Sequence, residues 1–266
     1  MKISLVISDV DATLITPEHE ITPRARQAVR ELQTRGIGFT IVSSRPPRGL
    51  YGFAEQLNVL EPFAAFNGGI IQKRNGETLL KHTLSREICQ SAFEITNKFG
   101  IELWIYCDHD WHVDKITPFV EREQNTIGFK ATIEKDLREM FGTVAKLVIV
   151  GDPKLVAEAE IVALAEFGAE VSATKSKPRF LDITAKEAHK GAVVTQIAAV
   201  LGIPTAEVVV IGDGLNDVLM FERAGFSVAI GQSGNEVKAA ASVVTKANTE
   251  EVFAIAIEEF VLPNFD

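Results

Sequence analysis

The chain is poor in cysteine, since Cys89 and Cys107 are its two cysteines among 266 residues. Two thiols far apart in sequence exclude a disulfide framework and favour a reducing compartment. The chain also lacks an apolar run of the ~18 residues that a membrane-spanning helix needs. No apolar leader with a small-residue cleavage site follows Met1. We therefore expect a cytoplasmic protein that does not insert into a membrane.

An excess of positive charge is also missing. Asp and Glu number 36 against 27 Lys and Arg, which gives a formal net charge of −9. This balance argues against nucleic acid or an anionic membrane surface as the main partner. It leaves room for a small phosphorylated metabolite, because local lysines and a metal ion can reverse the sign of the charge at a site. Nothing in the sequence calls for an obligate protein partner.

Short apolar runs that alternate with helical patterns indicate the fold class. Ile3 to Ile7 and Ile37 to Val42 are such runs, and Thr22-Pro23 opens a helical pattern between them that Gly36 ends. This β-α-β order predicts a parallel sheet with crossover helices. The pattern resumes at Val208 to Ile211. We expect an α/β protein with a doubly wound, Rossmann-like core.

The pattern changes from about Thr83. Ile101 to Cys107 and Trp111 to Val113 form two apolar runs around a short polar break, which predicts an antiparallel hairpin. We therefore expect an inserted α+β domain at residues 84–186 and a core formed by 1–83 and 187–266. Further helices are expected at Arg48 to Leu57, Arg86 to Phe99, Lys154 to Phe167, Lys190 to Val200, Val218 to Ala224, Asn235 to Ala241 and Thr249 to Phe260.

Polar side chains follow the ends of several predicted core strands, and one more opens a helix. In a parallel sheet these strand ends share one edge, where α/β proteins bind ligands. Two carboxylates ~4 Å apart repel by about 4 kcal/mol at an effective dielectric of ~20, so a divalent cation would stabilise them. Oxygen ligands suit Mg²⁺, while serine and lysine suit phosphate oxygens. The residues are Asp9, Asp11, Ser43, Arg45, Asn67, Lys190, Asp213, Asn216 and Asp217.

Four motifs in this order resemble those of the haloacid dehalogenase (HAD) superfamily of phosphotransferases. They are Asp9-x-Asp11-x-Thr13, Ser43, Lys190, and Gly212-Asp213-x-x-Asn216-Asp217. Asn67-Gly68-Gly69 and the long insert between the second and third motifs resemble the Cof-type subgroup, whose large α/β cap lies there. Each motif alone is weakly specific, and the combination is specific.

The resemblance implies a two-step phosphatase that acts on a small phosphorylated metabolite such as a sugar phosphate. Asp9 would be the nucleophile that forms an aspartyl-phosphate, and Asp11 the general acid and base. Mg²⁺ would be held by Asp9, the backbone carbonyl of Asp11 and Asp213, with Asp217 and Asn216 in support. Phosphate and substrate would bind Ser43, Ser44, Arg45, Asn67, Gly68, Lys190 and Asn216.

Three positions depart from the pattern of the subgroup. Ala12 stands where glycine is usual, and a methyl group is tolerated there if φ is negative. Ser43-Ser44-Arg45 replaces threonine-glycine-arginine but keeps the hydroxyl donor. Glu187 stands where glycine is common, which puts the hinge of the cap in question rather than the chemistry.

Other interpretations remain open at this point. A phosphomutase of the same superfamily would return the phosphoryl group to its substrate, and a catalytically silent metal-binding regulator would transfer none. Two roles are equally consistent with Arg45, which could guide the substrate or pair with a carboxylate. Without the other motifs, Lys190 would be interpreted as a solvated lysine at a helix start. Gly212-x-Gly214 does not fit a dinucleotide fingerprint, because Asp217 occupies its third glycine position.

Overall fold

A computed structural model of the protein describes residues 2–246 and 251–264. The chain divides into two compact units. The first unit comprises Met1–Ser44, Leu50–Leu79 and His189–Asp266, and the second comprises Arg45–Gly49 and Leu80–Ala188. The assignment of residues 84–186 as a substrate-selecting cap stays a prediction.

Among the described residues each unit contains one sheet with its helices, except that the last strand of the first sheet crosses the boundary after Leu79. The strands are β1 (Leu5–Asp9), β2 (Gly38–Val42), β3 (Phe63–Ala65), β4 (Ile70–Gln72), β5 (Thr78–Lys81), β6 (Glu102–Cys107), β7 (Asp110–Val113), β8 (Thr132–Ile133), β9 (Lys146–Val150), β10 (Val171–Lys177), β11 (Phe180–Ala185), β12 (Val208–Gly212), β13 (Phe226–Ala229) and β14 (Val243–Val244). The helices are α1 (Pro23–Thr34), α2 (Tyr51–Gln56), α3 (Arg86–Phe99), α4 (Pro118–Ile127), α5 (Pro153–Phe167), α6 (Lys190–Leu201), α7 (Leu215–Phe221), α8 (Asn235–Ala240) and α9 (Val252–Ile255).

The sheet of the first unit has the order β14-β13-β12-β1-β2-β3-β4-β5. From β14 to β3 the neighbouring strands pair in parallel, and β4 pairs antiparallel to β3. All residues of β1 are buried, as expected of a strand covered by helices on both faces. Ser8 pairs with Ile211 and Asp9 with Val42, so the carboxyl ends of β12, β1 and β2 are adjacent. The predicted parallel α/β core is confirmed.

The first crossover helix, α1, forms as its sequence predicts. The Thr22 side chain caps it by accepting a hydrogen bond from the backbone N–H of Ala25 at 3.1 Å, and Pro23 occupies the first helical position. Gly36, after the helix, has φ +76°, a left-handed conformation that glycine adopts without a steric penalty. The helix buries Ala25, Ala28, Val29 and Leu32.

The sheet of the second unit has the order β10-β11-β9-β6-β7-β8. Its pairs are antiparallel except for β7 with β8. Residues Ile105, Leu147 and Ile183 lie in register across β6, β9 and β11, and they belong to an apolar core that also includes α3 and α5 residues. The strand pairing confirms the predicted α+β character of this segment.

Some predicted elements differ from those observed. Helix α4 was not predicted, although Thr117 caps it and Pro118 begins it, which is the same signal that marks α1. The helix expected from Arg48 is instead a 3₁₀ turn at Pro47–Gly49 followed by the short α2. Pro46 precedes that turn and Pro47 begins it, and each proline restricts the residue before it to non-helical backbone.

Two later helices also begin or end elsewhere. Helix α7 begins at Leu215 rather than Val218 and ends at Phe221. The carboxylate of Asp217 in its first turn accepts hydrogen bonds from the backbone N–H groups of Asp213 and Gly214, which precede the helix. The expected start of the last helix, Thr249, lies outside the described residues. Helix α9 continues as a π-helical segment at Ala256–Val261. None of the helices in residues 2–246 and 251–264 has the length and apolar composition that crossing a membrane requires.

Candidate active site

Three carboxylates come together at the carboxyl edge of the first unit's sheet. Asp9 is the last residue of β1, Asp213 follows β12, and Asp217 lies in the first turn of α7. Each offers one carboxylate oxygen, and these three oxygens lie within 4.8 Å of one another. In the part of the chain that the structure describes, this is the only group of three or more side chains close enough together to hold a metal ion. It contains no histidine.

Lys190 connects two of these carboxylates. Its Nζ donates a hydrogen bond of 2.6 Å to Oδ1 of Asp9 and another of 2.6 Å to Oδ1 of Asp217. The exposed fractions of Lys190, Asp9 and Asp217 are 2%, 5% and 0%. Lys190 is the first residue of α6, a position at which a lysine is often solvated. Because it is buried, Lys190 is not a solvated lysine. A charge buried this deeply requires partners, and Lys190 has two.

The second oxygen of Asp217 fixes the loop after β12. Its Oδ2 accepts hydrogen bonds of 2.9 Å from the backbone N–H groups of Asp213 and Gly214. A Cβ on Gly212 would come within 2.4 Å of the Asp217 carboxyl carbon, so only glycine leaves room for this side chain. Asp217 therefore holds Asp213 in place and also neutralises Lys190.

The pKa values of these groups record the crowding of negative charge. Burial raises the pKa of Asp9 well above its ordinary value, Asp217 and Asp213 raise it further, and Lys190 offsets part of the rise. Burial and Asp217 also raise the pKa of Asp213, against the opposing effect of Lys190 and the Thr13 hydroxyl. For Lys190, burial alone would lower the pKa, but Asp217 and Asp9 outweigh burial and raise it. One buried lysine does not neutralise three carboxylates.

The loop after β1 is tied to the same carboxylates. The Thr13 hydroxyl donates a hydrogen bond of 3.1 Å to Oδ1 of Asp213. Between Asp11 and Thr13, Ala12 has φ +60°, so the negative φ under which its methyl group would be tolerated is not found. Thr13 is part of the first motif, and this hydrogen bond gives it a role that the sequence alone did not predict.

The ends of β2 and β3 meet next to this loop within the same unit. The backbone N–H of Ser43 donates to the carbonyl of Ala64 at 3.0 Å, and the N–H of Asn67 donates to the carbonyl of Ser43 at 2.8 Å. The Asn67 side-chain carbonyl accepts a hydrogen bond of 3.4 Å from the amide of Asn216. The structure therefore brings Ser43, Asn67 and Asn216 into one connected set.

Gly68 allows helix α6 to approach this segment. Its φ is +106°, and a Cβ there would come within 2.7 Å of the Val193 side chain in α6 and 3.4 Å of the His189 carbonyl. Both the backbone conformation and the space exclude a larger residue. His189 itself caps α6 by accepting a hydrogen bond of 3.3 Å from the N–H of Ala192. This contact gives His189 a structural role at the start of α6.

For the remaining predicted site residues, the structure gives the location and burial. Asp11 and Ser44 are half-buried on the loops that follow β1 and β2. Arg45 is half-buried and belongs to the second unit. Glu187, the residue that departs from the subgroup pattern, is exposed. The roles of these residues in substrate binding stay predictions.

Comparisons with known proteins agree with this arrangement. Residues 6–257 match the family model of haloacid dehalogenase-like hydrolases. The chain is 29% identical over 97% of its length, and 98% of the relative's, to a putative phosphatase of Haemophilus influenzae. It is 25% identical to the 5-amino-6-(5-phospho-D-ribitylamino)uracil phosphatase of Bacillus subtilis, covering 98% of this chain and 96% of the relative.

A solved structure extends the likeness to the fold. A haloacid dehalogenase-like hydrolase from Bacteroides thetaiotaomicron superposes with a TM-score of 0.89 at 27% identity, over 97% of this chain and 99% of that chain. The family model spans nearly the whole chain, both units included. The chain therefore belongs to the family of haloacid dehalogenase-like hydrolases, which confirms the predicted fold, superfamily and hydrolase class.

Proposed function

We propose that the protein is a Mg²⁺-dependent phosphatase that hydrolyses phosphomonoesters of small metabolites through a phosphorylated Asp9. The observation that carries the proposal is the buried Lys190, which bridges Asp9 and Asp217 beside Asp213. The relative from Bacillus subtilis, which is named as the phosphatase of a small phosphorylated metabolite, supports the choice of substrate.

The donor set fits a divalent cation. Three carboxylate oxygens within 4.8 Å form the all-oxygen environment that Mg²⁺ prefers. Asp9, Asp213 and Asp217 are the residues that would hold the ion, with the backbone carbonyl of Asp11 as a further expected ligand. When bound, the ion would offset the negative charge of the carboxylates and of the phosphate oxygens.

The residues of the chain divide the reaction into two steps. A carboxylate oxygen of Asp9 attacks phosphorus, the bond from phosphorus to the ester oxygen breaks, and the leaving oxygen takes a proton from Asp11. Water then attacks the same phosphorus, gives its proton to Asp11 and releases inorganic phosphate, which restores the Asp9 carboxylate. Lys190 holds Asp9 in one orientation throughout, because its hydrogen bond fixes Oδ1.

Positioning and charge neutralisation supply most of the rate in phosphoryl transfer. Ser43, Asn67 and Asn216 are connected by hydrogen bonds next to the carboxylates, and we assign them to phosphate binding with Gly68 and Ser44. The second unit, which contains the predicted insert 84–186, is proposed to select the substrate.

Phosphate release from p-nitrophenyl phosphate tests the proposal. Wild type should release phosphate with Mg²⁺ and stop when a strong chelator is added, and Asp9→Asn should release none. Asp114→Asn makes the same chemical change at an exposed aspartate of the second unit and should retain activity. Turnover by Asp9→Asn, or turnover that survives chelation, would contradict the proposal. Isomerisation of a sugar phosphate without phosphate release would instead indicate a phosphomutase.

A further inference from the structure

The sheet of the second unit ends in a strand whose outer edge is unpaired. Strand β10 comes first in the order β10-β11-β9-β6-β7-β8, so among the described residues β11 is its one neighbouring strand. An open edge presents a row of backbone N–H and C=O groups that can pair with a further strand, and proteins commonly shorten or cover such edges. Strand β10 is seven residues long, and its pairing with β11 keeps one register over Val171–Lys175. This part of the edge is regular enough to accept another strand.

Helix α5, which packs on β10 and β11, exposes large apolar side chains. Ile161 is 69% exposed and Leu164 is 47% exposed, and Ala157 lies half-buried four residues before Ile161. Because an α-helix turns by about 100° per residue, these three side chains fall within about 60° of one another around the axis. A helix that covers a core is expected to carry charged and polar residues on its outer side. A contiguous apolar stripe on that side is typical of a contact surface.

Two contacts show on which side of α5 the stripe lies. Glu160 pairs with Lys175 of β10 at 2.6 Å, and Glu166 accepts a hydrogen bond of 2.7 Å from Ser91 in α3. Leu164 lies about 40° around the helix from Glu160 and about 160° from Glu166. The stripe is therefore on the side of β10 and away from α3, so it adjoins the open edge. We call this surface the edge patch, and it consists of Ala157, Ile161, Leu164 and Val171–Lys175.

The charges on the edge patch are compatible with a second copy of the chain. A lysine on an edge strand usually opposes pairing, because it repels the same lysine of another copy. Lys175 is instead neutralised by Glu160 of its own chain. If two β10 strands pair antiparallel about a two-fold axis at Ala173, Lys175 of one copy lies opposite Val171 of the other. Lys177 lies beyond a register shift in the β10–β11 pair, where the regular edge has ended. Like charges therefore do not face each other across the strand pair.

We propose that the edge patch binds a second copy of this chain and joins the two sheets through an antiparallel pair of β10 strands. The two-fold axis runs through Ala173, perpendicular to the sheet. Both α5 helices then lie on the same face of the joined sheet, where Ile161 and Leu164 of one copy pack against those of the other. A contact that uses the same patch on both copies closes at a dimer. This inference is independent of the proposed phosphatase activity.

The mass of the protein in solution tests the dimer. Sedimentation velocity of the full chain at micromolar concentrations should give twice the 29.0 kDa of one chain. Ile161→Glu should raise the Kd of the dimer about 100-fold, because a carboxylate from each copy would be buried in the contact. Leu60→Glu places the same charge at a leucine that is 70% exposed in the first unit, and it should leave the Kd unchanged. A monomeric wild type, or an equal Kd for the two variants, would overturn the inference.

A cysteine on β10 tests the register of the strand pair. In the proposed pair, residue 174 of one copy is the diagonal neighbour of residue 174 of the other, at about 7–8 Å. A bismaleimide with a two-carbon spacer should therefore join two Thr174→Cys chains into a covalent dimer. The native Cys89 and Cys107 are buried and should not react.

A matched cysteine serves as the control for crosslinking. Asp114→Cys places the thiol at an exposed position after β7, four strands away from β10 in the same sheet, and it should not be crosslinked. A dimer that the reagent fails to join at Thr174→Cys, or joins equally well at Asp114→Cys, would show that the copies meet through another surface and would refute the proposed pairing.

Discussion

Replacing Ala12 by glycine tests whether the loop after β1 holds strained backbone. Ala12 has φ +60°, and it lies between Asp11 and Thr13. For a residue with a Cβ this left-handed conformation costs about 1–2 kcal/mol, because the Cβ approaches the following carbonyl. Glycine adopts the same conformation without that cost.

The expected gain in the free energy of unfolding is smaller than the strain energy of the left-handed conformation. Glycine also gains freedom in the unfolded chain, which lowers stability by about 0.4–1 kcal/mol. Ala12→Gly should therefore increase the free energy of unfolding by about 0.5–1 kcal/mol. For a domain of this size, such a gain corresponds to a rise of roughly 1–4 °C in Tm.

The assay must report on the first unit. Both tryptophans, Trp104 and Trp111, lie in the second unit, so their fluorescence follows the unfolding of that unit. Far-UV circular dichroism in urea follows both units, and the transition that is absent from the fluorescence belongs to the first. We expect Ala12→Gly to move this transition to higher urea and to leave the fluorescence midpoint unchanged.

A matched control, Ala165→Gly, should change stability in the opposite direction. Ala165 is exposed in helix α5, where the backbone is helical and alanine is favourable. Ala165→Gly should therefore lower stability by about 0.5–1 kcal/mol. A destabilised Ala12→Gly protein, with Ala165→Gly behaving as expected, would refute the claim that the backbone at Ala12 is strained.

Three further predictions concern buried ionisable groups. Because folding raises the pKa of Glu123 above its ordinary 4.5, the protonated group favours folding at low pH, and this contribution disappears as pH rises through the folded value. The urea midpoint by tryptophan fluorescence should therefore fall from pH 4 to pH 8 in wild type relative to Glu123→Gln; parallel curves would contradict this. Burial raises the pKa of Cys89 to about 12, so at pH 8 a thiol reagent should label it only after denaturation, and rapid labelling of native protein would be inconsistent. Lys190→Met leaves Asp9 and Asp217 buried without their cation and should cost about 3–5 kcal/mol in urea unfolding; a near-wild-type midpoint would argue against the ion pairs.

Local patterns in the sequence predicted much of the core and the composition of the site. The apolar run before Asp9 and the one before Gly212 form the paired strands β1 and β12, so the carboxylates that follow them lie together. Helix α1 was equally readable from Thr22-Pro23. These features depend on short stretches of chain, where side-chain periodicity and capping decide the outcome.

Features that depend on distant contacts were not predictable in the same way. The positive φ of Ala12 is set by its surroundings, since alanine by itself avoids that conformation. The Lys146–Asp182 pair joins two neighbouring strands of the second sheet, and nothing local to either residue marks it. Helix α4 is a different case, because Thr117-Pro118 is a local signal for the start of a helix, as Thr22-Pro23 is for α1.

The central claim is that the Asp9 carboxylate attacks phosphorus beside a cation held with Asp213 and Asp217. The most direct test is an acid quench during turnover of a ³²P-labelled phosphomonoester with Mg²⁺, followed by peptide mapping. The account predicts label on the peptide that contains Asp9, and none in Asp9→Asn or in the presence of a chelator. Label on another residue, or rapid turnover with no labelled protein at any quench time, would contradict it.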